Sequence, residues 1–430
     1  VRDQMLKCDL PVKDRDYLVC GVPYSDLSRI LKKFGNVDLV GRSFGVIKFT
    51  QLRNKKSFTF DVALPRREYS TGVGHKDFSV DFDPNLKVED DLHRRDFTIN
   101  AMAIRLDTSE LVDPLDGELD LKNRLIRMVS PKSFPEDPLR MLRAIQFAAR
   151  FNFTIESETA KAIGKYAALI KSVSPERIME ELNKLMLLAE KPSVGFWLML
   201  NLGLLQHLLP EMMEMVNVDQ PGGYHKYDVF EHTLVTIDAS PKILRVRLAA
   251  LFHDIAKPQT KRVVGEKATF YNHEKISGRI AAQVLKRLHY SNDLIHQVRT
   301  LAERHMFTTE VTDKGLRRLI KRVGQDLIFD LLDLRRADVK AQGMGGTTDD
   351  VDQFENNIRE ELERKPPFSV KDLAINGRDI MEIFYVEQSP KIGKVLDYLM
   401  EKVLDEPEDN TREKLIEYAG IFLAKNKSGK

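Results

Sequence analysis

Lys13-Asp14-Arg15-Asp16 leads into an apolar run, Tyr17-Leu18-Val19, so two carboxylates stand one residue apart at what reads as a strand start. Alternate side chains of a strand share a face, which sends Asp14 and Asp16 to the same side. Paired carboxylates beside phosphate oxygens suit a hard divalent cation such as Mg²⁺; the pair is equally compatible with an exposed polar strand end. A third acid, Asp61, lies in the alternating run 57–64, and side-by-side strands would bring it to the other two. Three carboxylates around metal ions at a sheet edge serve nucleotidyl transfer, in which the ions clamp the attacking and leaving oxygens.

Further along, Asp91-Leu-His-Arg94-Arg95-Asp96-Phe-Thr-Ile-Asn100 carries adjacent arginines that can hold triphosphate oxygens or close a surface ion-pair cluster. Glu136-Asp137-Pro138-Leu-Arg140-Met-Leu-Arg143 reads as a helix start, with Asp137 at the cap and Pro138 in the first turn. The same carboxylate and guanidinium groups can read a base edge. Seven of the ten histidines fall between His225 and His305. His232, the pair His253-Asp254 and then Asp338 lie on helical patterns, with His273 and His305 between them. Imidazoles with carboxylates bind transition metals, and such a metal can activate water for phosphoester cleavage.

The elements that must position these groups change character along the chain. Residues 17–20, 37–49 and 57–64 read as strands and 25–34 as an amphipathic helix, so the beginning is mixed α/β. Residues 68–90, with Gly72 and Gly74, read as a polar mobile segment. From Leu139 to about Leu209 the pattern is helical, with one helix starting at Ser174-Pro175-Glu176. Pro210, Pro221 and Gly222-Gly223 mark a break, and Arg364-Lys-Pro-Pro-Phe368 marks a second.

At 430 residues, several domains are expected. A net charge of +2 excludes any argument for nucleic-acid binding from the total, so basic footprints must be local; Arg317–Arg322 and 391–394 are candidates or ordinary solvated helix faces. No run is long enough to span a bilayer, and two cysteines, Cys8 and Cys20, fit a reducing cytoplasm. Val1-Arg2-Asp3 is no signal peptide and reads as the middle of an element.

These residues, in this order, resemble the bacterial class II tRNA nucleotidyltransferase/poly(A) polymerase family with an HD phosphohydrolase-type domain. Val1-Arg2-Asp3 resembles the end of its Gly-Gly-x-Val-Arg-Asp element, and Asp14-Arg15-Asp16 its Asp-x-Asp. Residues 91–101 resemble its nucleotide-sugar motif, Glu136-Asp137-x-x-Arg140 its base-selection motif, and Ser174-Pro175-Glu176-Arg177-Ile178 the next neck motif. His232, His253-Asp254 and Asp338 resemble the HD signature, and Ile375-Asn-Gly-Arg-Asp379 a recurring tail element. The paired glycines that would precede Val1 are absent, and the resemblance implies that the chain begins after residues that belong to it.

The resemblance implies an α+β fold with a small polymerase-β-like head over 1–130, followed by an elongated all-helical remainder. That remainder comprises a neck at 131–190, a body at 191–224, an HD domain at 225–345 and a tail at 346–430. It implies two Mg²⁺ ions on Asp14 and Asp16, with Asp61 as a further catalytic acid, and a divalent metal of open identity at the HD site. Arg2 and Arg94 would contact phosphates, with Asp91 near the ribose. Asn100 and Arg143 join the nucleotide-binding set, while Glu136, Asp137 and Arg140 would select CTP and then ATP. The implied activity is CCA addition to the 3′ end of tRNA in the cytoplasm, with A-only addition or poly(A) synthesis within the family as alternatives. From other classes, the alternatives are a protein that is chiefly an HD phosphohydrolase and a non-catalytic RNA scaffold.

Overall fold

A computed structural model describes every residue except 7–15, 39–45, 54, 71–77, 222–225, 266 and 426–430. The chain divides into two compact units, Val1–Glu214 with Arg287–Tyr290, and Met215–Lys286 with Ser291–Lys430.

The first unit begins with a four-stranded mixed sheet of β1 (Asp16–Leu18), β2 (Asn36–Asp38), β3 (Val46–Arg53) and β4 (Lys56–Ala63), ordered β1-β4-β3-β2. β1 runs parallel to β4, and the other neighbours are antiparallel. One face is apolar: Ile47 and Phe49 from β3, Val62 from β4 and the following Leu64 are buried with Leu27 of the helix Tyr24–Leu31, and Tyr17 and Phe60 pack against them. Strand alternation then turns Asp16, Asp61, Thr50 and Thr59 to the opposite face. Thr50 and Thr59 confirm this by pairing their hydroxyls at 3.1 Å.

The run 37–49, expected as one strand, is two strands paired antiparallel, with Val37 opposite Phe49. The residues between them, 39–45, lie outside the described residues. Overlapping the segment expected as mobile, β5 (Arg66–Ser70) and β6 (Phe78–Phe82) form an antiparallel pair; Gly72 and Gly74 lie outside the described residues.

Beyond the sheet the first unit is largely helical. Leu139–Phe151 buries Leu142, Ile145 and Ala148 and packs against Pro175–Leu188 and Pro192–Asn201. Pro175 occupies the first turn of its helix, as its fixed φ favours.

Among its described residues the second unit is helical apart from the short strand pair Arg262–Val264 and Lys267–Thr269. Val229–Ala239, Leu244–Phe252, Asn292–Arg304 and Ile328–Ala341 pack together. The tail element Ile375–Asp379 is a reciprocal helix cap. Asn376 accepts from the amides of Arg378 and Asp379, and Asp379 accepts from the Asn376 amide at 2.8 Å. The basic stretch Arg317–Arg322 is largely committed to structure. Arg317 is buried against Glu361 and the Leu404 carbonyl, while Arg318 and Lys321 pair with Glu401.

Candidate active site and a second metal-ligating cluster

Asp16 and Asp61 are register partners across the parallel pair β1–β4. Partners in register project to the same face, here the face away from the apolar core. These are hard oxygen donors at neighbouring positions, which fits a divalent cation. Asp14 lies outside the described residues.

The adjacent arginines Arg94 and Arg95 are organised by one carboxylate. Asp91 is fully buried at the end of the helix Val88–Leu92; Arg94 Nε donates to its Oδ1 at 2.8 Å and Arg95 Nη2 to its Oδ2 at 3.3 Å. Arg2 donates from Nη1 to Asn100 Oδ1 at 2.5 Å and lies 4.9 Å from the ring centres of both Phe147 and Phe151. The turn Thr98–Asn100 is pinned from below, since Thr98 Oγ1 donates to buried Asp120 at 2.7 Å.

The motif expected to select the base is a locked helix start. Leu139–Phe151 begins two residues after Asp137, whose Oδ1 accepts from the Leu139 amide at 3.2 Å. Both Asp137 oxygens also accept from Arg177, at 3.2 and 2.8 Å. Arg140 donates to Ser133 Oγ and to the Arg94 carbonyl, each at 3.0 Å, with Glu136 at 3.8 Å. Arg143 turns elsewhere, to Asp96 at 2.9 Å and Glu181 at 3.3 Å. Burial opposes charge on Asp96, yet Arg143, the Asn100 side chain and the Phe97 amide outweigh it and hold the carboxyl below its ordinary value.

Asp96 and Glu181 hold Arg143, and Arg177 holds Asp137, partners that spacing alone does not single out. The signal for Arg177 is its place in the Ser174-Pro175-Glu176-Arg177 helix start. Asp96 stands beside the arginine pair that attracts the eye.

In the second unit, helix packing gathers residues far apart in sequence. His232 comes from Val229–Ala239, His253 and Asp254 follow Leu244–Phe252, and Asp338 lies on Ile328–Ala341. His273 opens His273–Arg287, and His305 ends Asn292–Arg304. All six are nearly inaccessible, the most exposed being Asp338 at 6 %. His232 Nε2 is 3.0 Å from Asp338 Oδ1, and His253 Nε2 is 3.2 Å from Asp254 Oδ2. Burial disfavours the Asp254 carboxylate, but His253 and Lys257, the latter at 2.7 Å, keep its pKa well below the carboxylate range. Burial, reinforced by the charge of His253, pushes His305 down to about 3. The donor set fits a transition metal, since imidazole nitrogens and carboxylate oxygens converge at a buried site. The four residues expected to form this site are thus brought together, along with His273 and His305.

Comparison with known proteins gives the affiliation. Residues 1–127 match the poly A polymerase head domain, and 152–215 the family described as "Probable RNA and SrmB- binding site of polymerase A". Residues 268–419 match tRNA nucleotidyltransferase domain 2. An A-adding tRNA nucleotidyltransferase of Deinococcus radiodurans is 34% identical over 350 residues, 77% of this chain and 78% of that one. The chain belongs to the tRNA nucleotidyltransferase/poly(A) polymerase family.

A Multifunctional CCA protein of Actinobacillus pleuropneumoniae serotype 5b is also 34% identical over 350 residues, covering 78% of this chain and 79% of its own. Among solved structures, the Bacillus stearothermophilus CCA-adding enzyme in complex with CTP superposes with a TM-score of 0.70 at 21% identity, covering 100% of this chain and 93% of that one. The Thermotoga maritima CCA-adding enzyme complexed with tRNA gives 0.52 at 21% identity, covering 98% and 89%. These likenesses carry the fold, a polymerase-β-like head followed by helices. The sequence relatives make the protein an enzyme of the nucleotidyltransferase family, whose chemistry uses divalent metal. No helix of the described residues is long and apolar enough to cross a membrane.

Proposed function

We propose that the protein adds nucleotides to the 3′ end of tRNA without a nucleic-acid template, completing CCA from CTP and ATP. The observation that carries this reading is the hydrogen bond from Arg140 to the Arg94 carbonyl. It couples the helix start that would read the base to the segment that would hold the phosphates. In this reading Glu136, Asp137 and Arg140 present donors and acceptors of fixed orientation to the base edge, and a base that mismatches them leaves buried groups unpaired. Arg2 and Arg94 contact the triphosphate, Asp91 orients Arg94 near the ribose, and Asn100 and Arg143 complete the pocket, Arg143 by holding Asp96.

Asp14 and Asp16, with Asp61 beside Asp16, would hold Mg²⁺, which supplies neutralisation of charge on the transferring phosphate. The RNA 3′-hydroxyl attacks the α-phosphate and pyrophosphate leaves, so positioning and charge neutralisation dominate. The tRNA is bound mostly through its phosphates and shape, and the reaction takes place in the cytoplasm.

Incubating the protein with tRNA that lacks its 3′ CCA, and with each NTP separately and then together, tests the reading. Expected are CMP incorporation from CTP alone and completion only when ATP is added. Incorporation of ATP but never of CTP would replace it with A-addition, the activity named for the Deinococcus relative. Long A tails on unrelated RNA would replace it with poly(A) synthesis.

The buried cluster of His232, His253, Asp254 and Asp338 favours a second activity, metal-dependent hydrolysis of phosphomonoesters or cyclic phosphates in an HD-type domain at 225–345. Asp14→Ala should abolish NTP incorporation and leave that hydrolysis intact.

A further inference from the structure

The open face of the first unit's sheet carries a charge that the carboxylates Asp16 and Asp61 do not account for. The strands are locked in register, with Asp16 opposite Asp61, Asp61 opposite Lys48 and Lys48 opposite Asp38. Four ionisable residues thus form one row across β1, β4, β3 and β2. All four point away from the apolar core, because their neighbours along the strands, Tyr17, Phe60, Val62, Ile47, Phe49 and Val37, line it. The rows on either side are uncharged: Leu18, Ala63 and Val46 in one direction, Thr59, Thr50 and Asn36 in the other. Within these three rows Lys48 is the one cation. It is exposed, and among the described residues neither flanking acid closes an ion pair with it. A lysine placed only to pair its cross-strand neighbours would close on one of them; this ammonium is left open to solvent beside Asp61.

The arginines expected at the triphosphate are reached from the opposite side of the acids. β1 is the edge strand, and Gly21, just past it, donates to the Pro84 carbonyl at 2.7 Å. That segment leads into the helix Val88–Leu92, whose Asp91 holds Arg94 and Arg95. Burial and the nearby charge of Asp91 push up the thiol of Cys20, which also follows β1. Lys48 stands on the far side of Asp61, on β3. In nucleotidyl transfer the attacking and leaving oxygens lie in line on opposite sides of phosphorus. With pyrophosphate leaving toward the arginines, the attacking 3′-hydroxyl comes in over β4 and β3. The nearest charge on the RNA is then the phosphodiester that precedes its last nucleoside, an anion that a lysine meets as a point charge.

We infer that Lys48 binds the terminal phosphodiester of the RNA acceptor strand and so seats the 3′-hydroxyl beside Asp61. The inference rests on the transferase reading proposed above and gives its RNA substrate a named contact on the sheet. Lys48 acts here as a substrate-binding residue, with no proton transfer and no metal coordination. Its effect belongs to the RNA and not to the nucleotide.

The test compares the full chain with Lys48→Ala and Lys48→Arg on tRNA lacking its 3′ CCA and on tRNA lacking only the terminal A. The comparison can therefore be made whichever nucleotide the protein adds. Incorporation from CTP and ATP gives KM for tRNA and for each nucleotide, a Mg²⁺ titration gives the metal requirement, and filter binding at several salt concentrations gives the slope of tRNA affinity. In Lys48→Ala the KM for tRNA should rise about five- to tenfold with the KM for nucleotide unchanged. The salt slope should become shallower by about 0.7, the value of one single-strand phosphate contact. Lys48→Arg should restore tRNA affinity, which repair of a merely structural defect would not do selectively. A raised KM for nucleotide with tRNA affinity intact would place Lys48 on the triphosphate and overturn the inference. A lowered Mg²⁺ requirement with both KM values unchanged would make it only an electrostatic neighbour of Asp61, and parent-like values throughout would make it a solvated strand residue; either overturns the inference and leaves the transferase reading standing. Failure of the parent chain to incorporate any nucleotide would overturn that reading and the inference together, before any variant is compared.

Discussion

Arg177 grips Asp137 with both terminal nitrogens, at 3.2 and 2.8 Å, across 40 residues of sequence. The pair ties the helix Pro175–Leu188 to the start of Leu139–Phe151. It therefore sets the direction in which Asp137 presents its remaining lone pairs. A two-pronged guanidinium–carboxylate pair fixes orientation as well as distance, which an ammonium does not. Arg177→Lys should retain the charge and most of the stability, while selection of CTP and ATP against UTP and GTP falls about tenfold. The ratio of kcat/KM values across the four nucleotides measures this. Unchanged selection with a lowered Tm would make Arg177 a structural clamp only.

Asp96 gives a pH dependence with a definite sign. Its folded carboxyl lies below the ordinary value, with Arg143 and two other donors overcoming the cost of burial. The unfolded chain therefore takes up this proton at a higher pH than the native state. The stability it contributes is complete above the unfolded value of about 4 and is lost as pH falls through that value toward the folded one. Asp96→Asn should flatten the acid side of the stability curve below about pH 5 and cost about 2–3 kcal/mol at neutral pH, because half-buried Arg143 loses one of its two acids. Urea melts between pH 3 and 7 check both effects. An acid slope identical to that of the parent would show that other carboxylates carry it.

The sheet face that carries Asp16 and Asp61 was legible in the alternation of 57–64, because a period of two leaves no choice about which residues share a side. Division of 37–49 into two strands was not, since hydrophobic runs show strand character without showing reversals. His232, His253, Asp254 and Asp338 stood out by type and helical context. His273 and His305 were visible as histidines, but their convergence on Asp254 depends on how the helices pack, which no local pattern encodes. Arg143 is the instructive case. Its spacing from Arg140 puts both on one side of a helix, yet a shift of one turn gives it different partners, Asp96 and Glu181.

Gly117 offers a steric test of the turn that carries Asn100. It follows Asp116, whose φ is +54°, and its amide donates to Asp113 at 2.7 Å. A Cβ built there would lie 2.3 Å from the Thr98 carbonyl oxygen and 2.9 Å from Met102 Cγ. The carbonyl belongs to the turn Thr98–Asn100, so it cannot swing aside as a side-chain tip would. Gly117→Ala should destabilise the protein by about 2–4 kcal/mol and raise the KM for nucleotide through displacement of Asn100. Thermal melting and nucleotide titration of the same variant separate the two; a normal Tm would show that the loop relaxes at little cost.

Asp61 can be distinguished from a polar residue that happens to share a face with Asp16. The two are register partners on adjacent strands, so a cation held by one lies within reach of the other. Asp61→Asn keeps shape and strand pairing while removing the charge. If Asp61 completes the metal site, kcat for nucleotide incorporation should fall about a thousandfold or more, with little change in Tm. Replacing Mg²⁺ with Mn²⁺, which binds nitrogen and oxygen donors more tightly, should recover part of the loss. Asp16→Asn should behave in the same way, and the double variant should cost far less than the product of the two single losses, because residues that act as a unit are not additive. Independent effects would separate Asp61 from the site and leave catalysis to Asp14 and Asp16.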